Sequence, residues 1–167
     1  MAVTSTTKLT TLLERVGLFT PEQVADILAR QQQSGQSITD VVVSQGYSKE
    51  EPFLDKLAEV MGLPFERVGD KPIAQDVLGK LPTKAVFQYN VIPLGMENGV
   101  LRVATHDPFH QGLVDALRLA SGFRIRLTLS TSVELAKAAK KFYGVGADTL
   151  EQMIQDNRIE VAPSAAS

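Results

Sequence analysis

Leu9-Thr10-Thr11-Leu12-Leu13-Glu14-Arg15-Val16-Gly17 and Ile38-Thr39-Asp40-Val41-Val42-Val43-Ser44-Gln45-Gly46 are two copies of one pattern, 29 residues apart. The same offset carries Val24 onto Phe53 and Leu28 onto Leu57. A repeat of this length is one helical supersecondary unit, used twice because neither copy buries its apolar face alone. It predicts four short helices over the first sixty residues. Thr7 is placed to cap the first, which carries Leu9, Leu12, Leu13 and Val16 at helical spacing and ends at Gly17. Thr20-Pro21-Glu22-Gln23 opens the second with an N-cap, a proline at the first helical position and a capping-box glutamine. That helix should run to about Gln33, burying Val24, Ile27, Leu28 and the stem of Gln31 before Ser34-Gly35 turns the chain. Ser37 with Asp40 opens the third, ended by Gly46, and Ser48 opens the fourth. The fourth carries Phe53, Leu54, Leu57, Val60 and Met61 before Gly62, with Pro52 in its first turn.

From Leu63 the periodicity changes. Pro64 to Val68 reads as a short strand, and Ile73 to Leu81 and Thr83 to Tyr89 as brief helices separated by Pro82. Val91 to Leu94 and Val100 to Ala104 form a hairpin around Asn98-Gly99, a pair suited to the positive backbone angles of a two-residue turn. Asp107-Pro108 predicts the cap and first residue of a helix reaching Ala120, with Leu113, Ala116, Leu117 and Ala120 inward. Phe123 to Leu129 alternates as a half-buried strand, and Ser132 to Tyr143 is a second amphipathic helix. Thr149 to about Asp156 predicts a last helix, and Ala162 to Ser167 a disordered tail. The expected class is α+β: a four-helix tandem-repeat module over 1–62, then a small α/β sandwich over 63–145 with a three- to four-stranded mixed sheet. Residues 146–167 are expected to be linker helix and tail.

With 167 residues, 44% of them hydrophobic, the chain suffices for two small cores. No cysteine is present, which removes disulfides and thiolate metal sites and suits a reducing cytoplasm. Met1 to Thr7 lacks the basic and apolar regions of a secretory signal, and no run of 18 apolar residues occurs, so no direct membrane insertion is expected. The formal net charge is −2, with Lys and Arg scattered singly, which leaves no electrostatic footprint for nucleic acid.

The repeat, the Gly62-Leu63-Pro64-Phe65 junction, Leu81 to Phe87 followed by Val91-Ile92-Pro93-Leu94, Arg102 to Pro108, and the closing Phe142-Tyr143-Gly144 together resemble the N-terminal region of type II secretion and type IV pilus assembly ATPases. The resemblance spans roughly residues 7 to 160, with its motifs in order. It implies a helical module and an α/β module placed before a hexameric motor. It further implies docking onto the cytoplasmic domain of an inner-membrane assembly protein and, in some members, binding of cyclic di-GMP by the helical repeat.

The motor is expected elsewhere, in cis within a longer chain or in trans to a free-standing adaptor. No G-x-x-x-x-G-K-[ST] occurs; Gly79-Lys80 is followed by Leu81 and lacks the earlier glycine. The binding version of the repeat begins Arg-Leu-Gly and ends in Gln. Lys8 stands for that arginine, Thr10 for the glycine, and Gln31 remains; the second copy opens Ser37-Ile38-Thr39 and ends at Val60. Lysine does not supply arginine's planar donor fork, and a threonine side chain fills space that glycine leaves open. By this resemblance the candidate ligand residues are Lys8, Leu9, Thr10, Leu13, Gly17, Gln31, Ile38, Thr39, Val42 and Gly46. The apolar ones and the two glycines are equally explained as helix packing and helix stops. No cofactor is expected apart from that possible ligand.

Other constellations carry less. His106 and His110 flank Asp107, but a helix starting at Asp107-Pro108 leaves His106 outside it, and no third metal ligand is evident. Two histidines and no cysteine do not assemble a nucleophile, base and orienting acid. Gly144-x-Gly146 follows a helix and serves as its terminator, while Lys137, Lys140 and Lys141 suit a helix C-terminus. The sequence therefore predicts a non-catalytic regulatory and docking module, cytoplasmic and peripheral to the inner membrane through its partner. The helix from Asp107 and the strand at Phe123 to Leu129 are its expected contact surface. A cyclic di-GMP sensor is the second reading.

Overall fold

A computed structural model describes residues 2–144 other than 111, with side chains described from Lys8 onward. The expected helix over 149–156 and the tail lie outside the described residues. The tandem repeat folds as α1 (Ala2–Val16), α2 (Pro21–Ser34), α3 (Ile38–Ser44) and α4 (Glu50–Met61). Thr20 forms the capping box: its hydroxyl accepts from Gln23 N at 3.2 Å, and its own N–H donates to Gln23 Oε1 at 2.9 Å. Ser37 accepts from Asp40 N at 3.0 Å in the same manner at α3. Gly17 and Gly46, at equivalent places in the two copies, both turn the chain at positive φ, 78° and 75°. The repeat is thus a structural repeat as well, with Leu13 and Val42, Val24 and Phe53, Leu28 and Leu57 paired in one buried cluster.

Two boundaries differ from expectation. α1 begins at Ala2, so Thr7 lies inside the helix and is not its cap; nothing in the sequence from Ala2 to Thr7 breaks a helix, as it contains neither glycine nor proline. α4 is entered through Lys49 with no side-chain cap, in place of Ser48. Pro52 is its third residue, where the missing N–H has no intrahelical partner to lose.

The remainder comprises α5 (Gln75–Leu78), α6 (Thr83–Tyr89), β1 (Ile92–Glu97), β2 (Val100–Thr105), α7 (Leu113–Ser121), β3 (Arg124–Leu129) and α8 (Ser132–Tyr143). The sheet is mixed and three-stranded in the order β1-β2-β3. β1 and β2 are antiparallel around Asn98-Gly99, whose φ angles of 52° and 80° give the primed turn the dipeptide predicted. β1 runs three residues past Leu94 because its register shifts between Pro93 and Gly95, a bulge that keeps the strand paired to Glu97. β3 lies parallel to β2, Val100 opposite Arg124 and Thr105 opposite Leu129, with α7 between them in sequence.

Three expectations need correction. Pro64 to Val68 is no strand: it makes one isolated parallel bridge, Phe65 with Leu129, through Leu129 N to Pro64 O at 2.8 Å and Glu66 N to Leu129 O at 2.9 Å. The helix expected over Ile73 to Leu81 is a single turn, bounded by Ala74 without a side-chain cap and by Gly79. α7 starts at Leu113, five residues after the expected first helical residue Pro108. Asp107 Oδ1 accepts from Phe109 N at 3.2 Å and its carbonyl from His110 N at 3.3 Å, so Asp107-Pro108 closes a local turn. The helix then waits for Gly112, whose φ of 79° leads into it. Leu113 and Leu117 are buried as predicted, whereas Ala116 is half-buried and Ala120 is exposed.

A second buried cluster joins Leu101 and Val103 of β2 to Leu113 and Leu117 of α7 and Leu135 and Ala138 of α8. Leu129, the last residue of β3, belongs to the first cluster and not to this one; its side chain is fully buried among the repeat helices. Glu50 of α4 reaches Ser132 of α8, and Thr39 of α3 donates to the carbonyl of His106 at 2.8 Å. The two cores are therefore joined by an apolar side chain and by hydrogen bonds.

Candidate functional site

Where the helical layer meets the sheet layer, a cleft of about 420 Å³ opens. Its apolar lining comes from Leu9 of α1, Ile38 of α3, and Phe109 and Leu113 before and within α7. Its polar lining comes from Gln31, Asp40, Asn90, His106, Asp107 and His110. Each polar group is set by a chain feature. Asn90 takes the left-handed conformation after α6, φ 54°, cheap for asparagine, and its Nδ2 lies 3.4 Å from His106 Nδ1. His106 Nε2 lies 3.7 Å from Asp40 Oδ1, across the junction. His110 stacks edge-on against Tyr89, ring centroids 5.9 Å apart.

The electrostatics favour hydrogen-bond donors. Burial pushes the Asp107 carboxyl above its ordinary value, outweighing the pull of His106 and of the Phe109 N–H. Asp40 and Asp107 are the carboxylates of the lining, and it contains neither Lys nor Arg. Such a cleft can accept N–H groups at its carboxylates and cover a flat apolar surface, whereas for a phosphate its described lining offers neutral amide and hydroxyl donors and, as basic side chains, the two histidines.

Of the residues the sequence singled out for a ligand, Leu9, Gln31 and Ile38 meet in this cleft. Leu13 and Val42 are fully buried in the helical core. Thr39 is buried with its hydroxyl bonded to His106 O. Gly17 and Gly46 are placed by their positive φ, and a Cβ there would meet no atom closer than 4.0 Å, so neither needs glycine to make room. Lys8 is exposed outside the lining, and Thr10 is half-buried on α1, also outside it. Asp40 and Asn90 were missed as site residues. In the sequence Asp40 marks only a helix start, and no local signal shows either residue facing the cleft. His106, Asp107 and His110 are the constellation that the sequence offers for a metal. They line the cleft but disperse onto Asp40 and Asn90, Phe109, and Tyr89 respectively. Among the described residues no group of three or more His, Cys, Asp or Glu could hold a metal ion.

Residues 61–149, more than half of the chain, match the MshEN domain. The chain belongs to the MshEN domain family. Among relatives of this MshEN domain, the type IV pilus assembly ATPase PilB of Myxococcus xanthus is 26% identical over 145 residues, covering 87% of this chain and 26% of that protein. Type II secretion system protein E of Xanthomonas campestris pv. campestris is 29% identical over 130 residues, 75% of this chain and 23% of that protein. The chain thus spans about a quarter of the length of these curated relatives. The N-terminal domain of XpsE superposes with a TM-score of 0.62 at 29% identity, covering 86% of this chain and 96% of that one. MshE, solved with cyclic di-GMP, superposes at 0.68 and 22% identity over 81% and 98%, a likeness of fold. The α+β class and the expected resemblance to secretion and pilus ATPases both hold for this MshEN domain.

Proposed function

We propose that this MshEN domain is a non-catalytic docking module, which positions a type II secretion or type IV pilus ATPase motor against the cytoplasmic domain of an inner-membrane assembly protein. The motor lies in cis or in trans, and the module is cytoplasmic and peripheral to the membrane through that partner. The helical part, 1–62, and the α/β part, 63–145, act as two units of one body. The observation that carries this reading is the free side of β3, an end strand whose outer backbone edge is, among the described residues, paired at Leu129 and open at Ile125 and Leu127, with Arg124 and Arg126 exposed. The neighbouring α7 adds Leu119, 83% exposed. The test is sedimentation velocity of the chain with the purified cytoplasmic domain of the assembly protein from the same system. A complex at micromolar concentration supports docking, and two independent species at that concentration overturn it.

The second reading is a cyclic di-GMP sensor, favoured by the meeting of Leu9, Gln31 and Ile38 with Asp40 and Asp107 in one cleft. Carboxylates suit the N–H donors of a guanine edge, and leucine, isoleucine and phenylalanine side chains suit its faces. Calorimetric titration with cyclic di-GMP decides it. Heat at micromolar ligand that disappears in Gln31→Ala supports the sensor, and no heat removes it.

A further inference from the structure

We propose that the open edge of β3 receives an extended acidic segment of the docking partner as an added strand; this rests on the docking reading above. Backbone groups in a strand alternate sides. Leu129 turns its N–H and carbonyl outward, to Pro64 and Glu66. By that alternation Ile125 and Leu127 turn theirs to the same edge, where among the described residues nothing pairs with them. The sheet therefore ends in two consecutive donor and acceptor pairs with no neighbour.

Charge selects the occupant. Arg124 and Arg126 are exposed, two residues apart on β3, and stand on one face of the sheet about 7 Å from each other. Among the described residues neither has an acidic partner, whereas nearby Arg102 is paired to Glu66 and Glu97, Lys71 to Glu66, and Arg67 to Glu51. A second copy of this strand would set arginine against arginine, so self-pairing is disfavoured. An incoming strand with Glu or Asp at alternate positions places each carboxylate beside one guanidinium while its backbone completes the ladder.

The test is amide hydrogen exchange of the full chain, read by NMR, with a hexapeptide alternating Glu and Val. Strand addition slows exchange of the Ile125 and Leu127 amides about tenfold or more at saturation. Arg124→Glu with Arg126→Glu abolishes this slowing and transfers it to a hexapeptide alternating Lys and Val. Both positions are exposed, and an unchanged melting temperature verifies that the variant folds. Shift changes without slowed exchange, or slowing indifferent to peptide charge, overturn the proposal. If the charge-reversed variant binds the assembly protein's cytoplasmic domain as tightly as the parent, docking stands and the β3 edge is excluded as its seat. If the hexapeptide protects the edge while that domain fails to bind, the edge site stands and the assigned partner falls.

Discussion

Glu50 and Ser132, 82 positions apart, meet in a two-pronged contact: Ser132 N donates to Oε2 at 2.9 Å and Ser132 Oγ to Oε1 at 2.8 Å. Glu50 is the first residue of α4 and Ser132 the first of α8. One carboxylate therefore sits at the positive ends of two helices, one from each layer.

Removing that carboxylate leaves the Ser132 N–H without its acceptor. Glu50→Ala should lower the unfolding free energy by about 1–3 kcal/mol, and Glu50→Gln, which keeps one acceptor, by less. Urea titrations of both variants check the order. Equal stability of Glu50→Ala and the parent would remove the contact from any role in joining the layers.

Leu129→Ala should cost about 2–5 kcal/mol, because it empties a fully buried place in the helical core from a residue of the sheet. Since β3 enters both cores, the two layers should unfold together. Tyrosine fluorescence and far-ultraviolet circular dichroism are expected to trace one coincident transition in the parent chain. Two separated transitions would contradict this coupling.

Asp107 carries a pH signature. Its pKa is raised by burial in the folded chain, so the folded state keeps the proton to higher pH than the unfolded state does. The associated stability is complete below the ordinary carboxylate range and declines as pH rises from there through the folded pKa. Asp107→Asn keeps an acceptor for Phe109 N–H and abolishes the decline. Its melting temperature should exceed the parent's at pH 7, with the difference vanishing near pH 3. A gap that stays constant with pH would rule out burial as the cause.

Tyr143 is half-buried, its hydroxyl oxygen is buried with no partner among the described residues, and this burial raises its pKa to about 12. Tyr143→Phe should be neutral or more stable by about 1 kcal/mol, because it deletes an unsatisfied polar atom and keeps the edge-on contact with Phe87. The difference between the alkaline absorbance titrations of parent and variant should be one phenol ionising near 12, present in the parent and lost in the variant. A phenol titrating near 10 at this position would show that it reaches water.

The elements legible from sequence were those with local causes. Thr20 and Gln23 form the capping box, Asn98-Gly99 the turn, and Ser132 to Tyr143 the predicted helix end to end. Misreadings arose where two local signals compete. Asp107-Pro108 has the chemistry of a helix start and of an Asx turn, and the hydrogen bond to Phe109 N decides for the turn. The repeat marked Leu9, Gln31 and Ile38, which reach the cleft, together with Leu13 and Val42, which do not. Apolar periodicity alone does not distinguish the inside of a bundle from the floor of a groove. Asp40, Asn90 and His106 come together through the docking of layers 50 or more residues apart in sequence, for which no short pattern exists.

Leu129 sets the smallest portable piece of this protein. A chimera that takes only residues 1–62 would carry away a bundle with a vacancy where that leucine belongs and with Glu50 aimed at nothing. Grafts onto another protein must keep everything through the start of α8, or supply a leucine and a helix end of their own.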